Sequence, residues 1–406
     1  MKRLKNIGYT FIGNVAFSLV KWLILILIVR LTNPEDVGGY TFAMAITAPI
    51  TLFTNMRIRL RYVVEDNLTF KNIRVLRNIL NIISLLIILF IGLVIFPTYL
   101  NYFVLVAFTK VLDLQSELYY AILHKKQNFK LISLMQIGKS IIIIVPFAIM
   151  VVITKSVNYG LLAQVISQFL WLVFVERKSI KYKDIESNEN NKNNKKLLFN
   201  IFLSGLPLGF VQMINSYNIM IPRYIIENFL SLKLVGVFAS ISYLLTIIDL
   251  FMNAISQNII IRIKSYVDKK EFIKLSKYVN KDIFLYSIIL GFIVILPVMF
   301  LKDLLIGMIY GDFYKHYSNV LLIISFSIIF NFQSWMFDTI LMAFKAYKSQ
   351  LIVSISTLVI SIISSLVLIK YFGIIGASFA IVVITLSQAL FKYILVTLNI
   401  KNEKKR

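Results

Sequence analysis

The 406-residue sequence is 59% hydrophobic and only 15% charged, with a mean hydropathy of +0.81, no cysteine and a formal net charge of +24 at pH 7. That much apolar surface exceeds what one soluble core can hide, so the composition excludes a soluble globular protein and leaves an integral membrane protein. Without cysteine there is no thiolate chemistry or disulfide framework, and with His124 and His316 as the two histidines no metal site is expected.

Taken in chain order, the basic start Met1–Asn6 and the apolar run after it imitate a secretory signal. The run, however, reaches about Leu31, carries Lys21 and lacks a small-x-small cleavage site, so it reads as an uncleaved first span. Long continuous apolar runs, rather than alternation over about ten residues, indicate helical spans and not barrel strands. Runs bounded by charge and turn residues predict spans near 9–31, 37–56, 79–97, 101–123, 131–153 and 157–175, then near 201–222, 234–257, 283–301, 319–344, 350–370 and 373–396. The expected fold class is therefore all-α integral membrane, with twelve transmembrane helices in two six-helix lobes around a central cavity. The boundaries are an N-lobe at 1–175, a polar cytoplasmic linker at 176–200, a C-lobe at 201–396 and a basic tail at 397–406. The linker contains ESNENNKNNKK, too poor in apolar residues to fold, and is expected to be flexible.

An even number of spans puts both termini on one side, and on that assignment 32 of the 43 Lys and Arg fall on the side of the termini. The positive-inside bias predicts cytoplasmic termini in a cell membrane and turns most of the net charge into topology and attraction to anionic lipid, so nucleic acid is not an expected partner. The halves also echo one another: Val37-Gly-Gly-Tyr40 opens the second span and Val235-Gly-Val-Phe238 the eighth, 198 residues later, and Gly373-Ile-Ile-Gly376 opens the twelfth.

The stretch Ser204–Tyr224 is the least comfortable span, with Gln212, Asn215, Ser216 and Asn218 at bilayer depth and Pro207 and Pro222 near its ends. A broken polar helix of this kind is tolerated where it lines an enclosed or wet cavity. Residues at i, i+4, i+7 and i+11 share a helix face. The first span thus groups Asn14, Ser18 and Lys21, the sixth Gln164 and Gln168, the eighth Ser242, Thr246, Asp249, Asn253 and Gln257, and the tenth Asn331, Ser334 and Asp338. Single amides and hydroxyls of this kind ordinarily make interhelical hydrogen bonds worth about 0.6 kcal/mol each. Charges cost about 2.5–3.5 kcal/mol at mid-bilayer and must be paired, hydrated or snorkelled. Lys110, Asp113 and Glu117 share one face of the fourth span and, with Lys139 and Asp338, form a candidate ion network, structural or ion-coupling. Arg30, Arg223 and Lys392, near span ends, could snorkel, whereas Lys21 and Asp249 lie deeper and are the expected functional charges. There is no Walker A sequence, and no close carboxylate pair occupies an evident active-site loop, so no enzymatic site is expected.

Four stretches carry a family resemblance: Leu31-Thr-Asn-Pro-Glu-Asp-Val-Gly-Gly-Tyr40, Ala43-Met-Ala-Ile-Thr-Ala-Pro49, the cluster Arg57, Arg59, Arg61, and Gly205-Leu-Pro-Leu-Gly209 with Ile221-Pro-Arg-Tyr224. Together they make the chain resemble the Wzx-type oligosaccharide flippases of the MOP exporter superfamily, which also holds lipid II flippases and MATE transporters. The resemblance implies export of an undecaprenyl-pyrophosphate-linked oligosaccharide repeat unit to the outer leaflet by alternating access, for capsule, O-antigen or exopolysaccharide assembly. It implies no cofactor, Na⁺ or H⁺ as a candidate coupling ion, and polysaccharide-assembly proteins as candidate partners. It carries the pyrophosphate-binding role onto Lys21 and Arg59. The eighth span has Asp249 where related flippases hold a cation, which leaves Arg223 or no residue of the second half as the partner. Asn14, Gln212, Asn215, Asp249 and Asn253 complete the expected substrate contacts. The alternatives are a MATE-like drug or cation exporter, which would want acidic residues in place of Lys21, and a membrane polymerase, which would want a large outer loop.

Overall fold

In the computed structural model the described residues are 2–64, 68–180, 195–245, 252, 263, 265–344 and 346–405. Among them every regular element is a helix, and nine helices are long and apolar enough to cross a membrane. The chain divides into two compact units, Met1–Ser216 and Tyr217–Arg406, with the division falling inside the helix Lys195–Phe229.

The first unit holds, in chain order, the helices Lys2–Leu31, Pro34–Asn55, Phe70–Val94, Leu100–Lys125, Phe129–Thr154 and Val157–Trp171, with the short helix Ile58–Val64 between the second and the third. Local chemistry sets the ends. Asn33 precedes Pro34 at the first turn with Glu35 and Asp36, which complement the helix dipole, and the Thr69 and Asn128 side chains accept the Asn72 and Leu131 amides. The helix Phe70–Val94 shows how the membrane is met: Ile82, Leu86, Phe90 and Val94 form an exposed apolar stripe while Leu76, Leu80, Ser84 and Ile88 on another face are buried. The helix Leu100–Lys125 is the hub, packed on the second, third and sixth of these helices and on the short helix Ile58–Val64. Its charges keep it out of the nine apolar spans, so a hub position is where they can find partners.

Pro34–Asn55 ends at two consecutive left-handed residues, Met56 (φ 47°) and Arg57 (φ 48°), before Ile58–Val64 resumes. Two arginines secure this break. Arg77, 1% exposed, donates to the Thr54 carbonyl at 3.0 Å, the Asn55 carbonyl at 2.9 Å and Asn55 Oδ1 at 3.3 Å, supplying donors to carbonyls the helix end leaves orphaned. Arg61, also buried, donates to the Ile201 carbonyl at 2.9 Å and Ser204 Oγ at 2.7 Å. The helix Lys195–Phe229 comes close enough here that a Cβ on Gly205 would lie 2.6 Å from Arg61 Nη1, and one on Gly209 2.6 Å from the Phe53 carbonyl oxygen.

That helix is a correction to the broken segment expected from Pro207 and Pro222, because it runs unbroken for 35 residues. Pro222 has no amide to offer the carbonyl of Asn218, and the vacancy is filled within the second unit by the Ser361 hydroxyl, which donates to that carbonyl at 3.2 Å. Asn218 Nδ2 donates in turn to Thr357 Oγ1 at 3.1 Å. The expected linker is helical at both described ends, through a π turn at Leu172–Glu176 and from Lys195, while 181–194 lie outside the described residues.

The second unit holds Leu232–Tyr243, Phe272–Lys277 with its π turn at Tyr278–Asp282, Ile283–Tyr310, the pair Ser318–Ser325 and Ser327–Ala343, and Tyr347–Lys405. The last is two helices broken at Gly373 (φ 58°, ψ −139°), where a Cβ on Gly376 would fall 1.9 Å from the Leu368 carbonyl oxygen. Only glycine fits that turn, in agreement with the span boundary read at this position. The eighth expected span is described as far as Leu245, so Thr246, Asp249, Asn253 and Gln257 lie outside the described residues.

Candidate functional site

The hub helix aligns Lys110, Asp113, Ser116 and Glu117 along one face, and the neighbouring helices aim cations at it. Lys139 Nζ, from Phe129–Thr154, lies 2.8 Å from Asp113 Oδ1 and 2.8 Å from Ser116 Oγ. Lys21 Nζ, from Lys2–Leu31, lies 3.2 Å from Asp113 Oδ2. Gln168 Nε2 completes the surroundings of Oδ1 at 3.5 Å. The Phe17 ring faces both ammonium groups, with its centroid 4.2 Å from Lys21 Nζ and 5.4 Å from Lys139 Nζ. One carboxylate is thus shared by two lysines of unequal exposure: the Lys139 side chain is 3% exposed, Lys21 37%.

Lys110 is half-buried, has no hydrogen bond or ion pair among the described residues, and its charge acts on both Lys21 and Asp113. Three cations against one carboxylate leave this face with two net positive charges. One turn further, Arg59 Nη1 meets Glu117 Oε2 at 2.9 Å and Oε1 at 3.2 Å in a neutral pair. Beyond it, Tyr120 donates to Glu176 at 2.6 Å, and Glu176 is fully buried. Amides fill the gaps, with Gln136 Nε2 donating to Asn14 at 3.1 Å and Asn81 Nδ2 to Gln115 at 3.1 Å. The buried carboxamide oxygens of Gln136, Gln164 and Gln168 have no donor among the described residues. The arrangement offers cations to an anion and amide oxygens to hydroxyl donors.

Of the residues singled out from sequence, Lys21, Lys139, Asp113 and Lys110 come together, and Asn14 and Arg59 join through Gln136 and Glu117. Arg59 enters as half of an ion pair and not as a free cation, a partnership its distance of 58 residues from Glu117 concealed. Asp338 has its partner within its own unit. It lies in the second unit, 2.6 Å from Lys392 Nζ, which also donates to Ser334 Oγ at 2.7 Å, so Lys392 is tied to a neighbouring helix and does not snorkel. Gln212 is half-buried with its Oε1 unpartnered among the described residues, Asn215 is exposed, and Arg223 lies half-buried in the second unit, where its charge acts on Tyr224 and Tyr243. Asp249 and Asn253 lie outside the described residues. Sequence reasoning missed Arg77 and the Tyr120–Glu176 bond. Arg77 was legible as a lone cation on the face of Phe70, Ile73 and Leu80, all buried.

The fold matches solved structures of transporters throughout its length. An inward-facing MATE family multidrug resistance transporter of the MOP superfamily superposes with a TM-score of 0.72 at 15% identity, covering 96% of both chains. The lipid II flippase MurJ in an inward closed conformation superposes with a TM-score of 0.73 at 13% identity, covering 97% of this chain and 90% of that one. In sequence, the chain is 32% identical over 394 residues to the capsular polysaccharide biosynthesis protein CapF of Staphylococcus aureus, covering 96% of this chain and 98% of that protein. A family profile described as polysaccharide biosynthesis protein matches residues 3–261. By the profile match and the near full-length relative, this multi-pass membrane protein of MOP-transporter fold belongs to the polysaccharide biosynthesis protein family.

Proposed function

We propose that the chain is a flippase that moves an undecaprenyl-pyrophosphate-linked oligosaccharide repeat unit from the inner to the outer leaflet of the cell membrane, for a capsule or a related surface polysaccharide. The observation that carries this reading is the net positive charge of the Lys21–Asp113–Lys139–Lys110 face inside a polysaccharide biosynthesis family member. A pyrophosphate needs cations where the dielectric constant is low, and sugars need the amides and hydroxyls that surround them. The same charge opposes export of an organic cation, the substrate class of the MATE-like alternative. In this reading the twelve spans form two six-helix lobes, 1–175 and 201–396, joined by the cytoplasmic linker 176–200. Both termini are cytoplasmic, and access alternates by rocking of the lobes. A headgroup of about two negative charges gains about 4–5 kcal/mol on moving outward across 100 mV, inside negative, which drives export with or without Na⁺ or H⁺ coupling.

The test is depletion of the protein followed by assay of lipid-linked oligosaccharide in each leaflet. The expected result is accumulation of complete repeat units reachable only from the cytoplasmic face. Accumulation of repeat units on the outer leaflet would instead place the protein after translocation, as a polymerase.

A further inference from the structure

Asp113 is bound unequally by its two lysines, and the inequality has a use. Lys139 holds Oδ1 by a short contact from an almost dry position and is itself held by Ser116. Lys21 holds Oδ2 by a longer contact, 3.2 Å, from a position more than a third exposed. Breaking the first would strand a buried ammonium, whereas breaking the second leaves Lys21 able to find water or another anion and leaves Asp113 still paired. We propose that Asp113 is a built-in stand-in for the substrate's phosphate: it neutralises Lys21 while the site is empty and gives Lys21 up to the incoming pyrophosphate, remaining fixed by Lys139 and Gln168.

This inference rests on the flippase reading and adds a mechanism to it. A transporter must return empty after each delivery, and a bare ammonium left at membrane depth opposes that return. A carboxylate that takes Lys21 back on release lowers that barrier, at the expense of some affinity for the substrate. Asp113 is therefore a positioning residue whose signature is a split between binding and turnover.

Removing the stand-in alone, in Asp113→Asn, leaves Lys139 buried without a counter-charge and invites misfolding. The informative variant is Asp113→Asn combined with Lys139→Gln. It keeps the same net charge over Lys21, Asp113 and Lys139 as the unaltered chain, one positive, so long-range attraction is unchanged and any change in binding reports the release of Lys21. The probe is inorganic pyrophosphate titrated by calorimetry onto the full chain in lipid nanodiscs, alongside export measured in cells. The expected result is binding about fivefold tighter, the order of a half-exposed ion pair given up, with slower maximal export. Adding Lys21→Ala to the double variant should return the affinity to that of the unaltered chain or below. Measurable binding to the unaltered chain with no tightening in the double variant overturns the exchange and leaves the flippase reading standing. Binding that persists undiminished in the triple variant overturns it as well, because Lys21 would then not be the ligand. No pyrophosphate binding to any of the chains overturns the exchange and the flippase reading together.

Discussion

Replacing Arg77 by Met should destabilise the first unit, because the two carbonyls at the end of Pro34–Asn55 lose their donor. The guanidinium is 1% exposed and makes three hydrogen bonds to Thr54 and Asn55, with no ion pair among the described residues to compensate its burial. Each buried carbonyl left without a donor costs about 1–3 kcal/mol, and two are orphaned. Against that stands relief of several kcal/mol of desolvation borne by the buried cation. The gross cost of about 2–6 kcal/mol is largely offset, and a net loss of about 1–2 kcal/mol lowers the unfolding midpoint of a unit of this size by roughly 2–8 °C. Arg77→Lys should fall between, since an ammonium cannot span both carbonyls as the planar fork does. The assay is thermal unfolding of the purified protein in detergent, read beside export in cells. A midpoint shift under about 1 °C in Arg77→Met would refute the argument, because the carbonyls would then have found water or new donors.

Other substitutions probe the remaining contacts. Lys21→Ala should abolish export while membrane levels are kept, Lys21→Arg should retain part of it, and Lys21→Glu should be null; a fall in membrane level or unfolding midpoint that accounts for the export lost in Lys21→Ala would make Lys21 a structural partner and not a substrate ligand. Ser361→Ala should cost about 1 kcal/mol by stripping the Asn218 carbonyl of its donor at the Pro222 step, measured as a lower unfolding midpoint, whereas Pro222→Ala with Ser361→Ala should recover it because the helix amide returns. Protease supplied to inverted vesicles should cut within 185–196 and protease outside spheroplasts should not; the opposite pattern would reverse the topology inferred from charge.

What the sequence revealed and what it hid divide along a physical line. The apolar runs behind the nine membrane-length helices, the glycine break at 373 and the shared face of Lys110, Asp113 and Glu117 follow from local rules, hydropathy and a 3.6-residue period, and the described residues keep them. Pairings across helices do not follow from such rules. Lys21 and Asp113 are 92 residues apart, and Arg59 and Glu117 are 58 apart, so which cation meets which carboxylate is decided by helix packing. The same reason explains the unbroken Lys195–Phe229 helix: the proline signal at 222 is real, but its cost is met by a serine 143 residues beyond Asn218, which no local window contains. Arg77 escapes a local reading because basic residues near span ends ordinarily snorkel, and only burial distinguishes the one that turns inward.

Each unit contains one lysine that bonds an aspartate and a serine about a turn apart on a neighbouring helix: Lys139 with Asp113 and Ser116, and Lys392 with Asp338 and Ser334. Both tie two helices together, yet among the described residues only the first shares its carboxylate with a second ammonium. If anion binding follows from that surplus cation, the second tether should be silent toward pyrophosphate. Asp338→Asn with Lys392→Gln removes a neutral pair and leaves the charge of the first unit untouched. Its pyrophosphate affinity should stay within about twofold of the unaltered chain while its unfolding midpoint falls. A loss of affinity comparable to that of Lys21→Ala would mean that the two tethers act on one ligand, and the surplus charge at Lys21 would no longer explain where the anion binds.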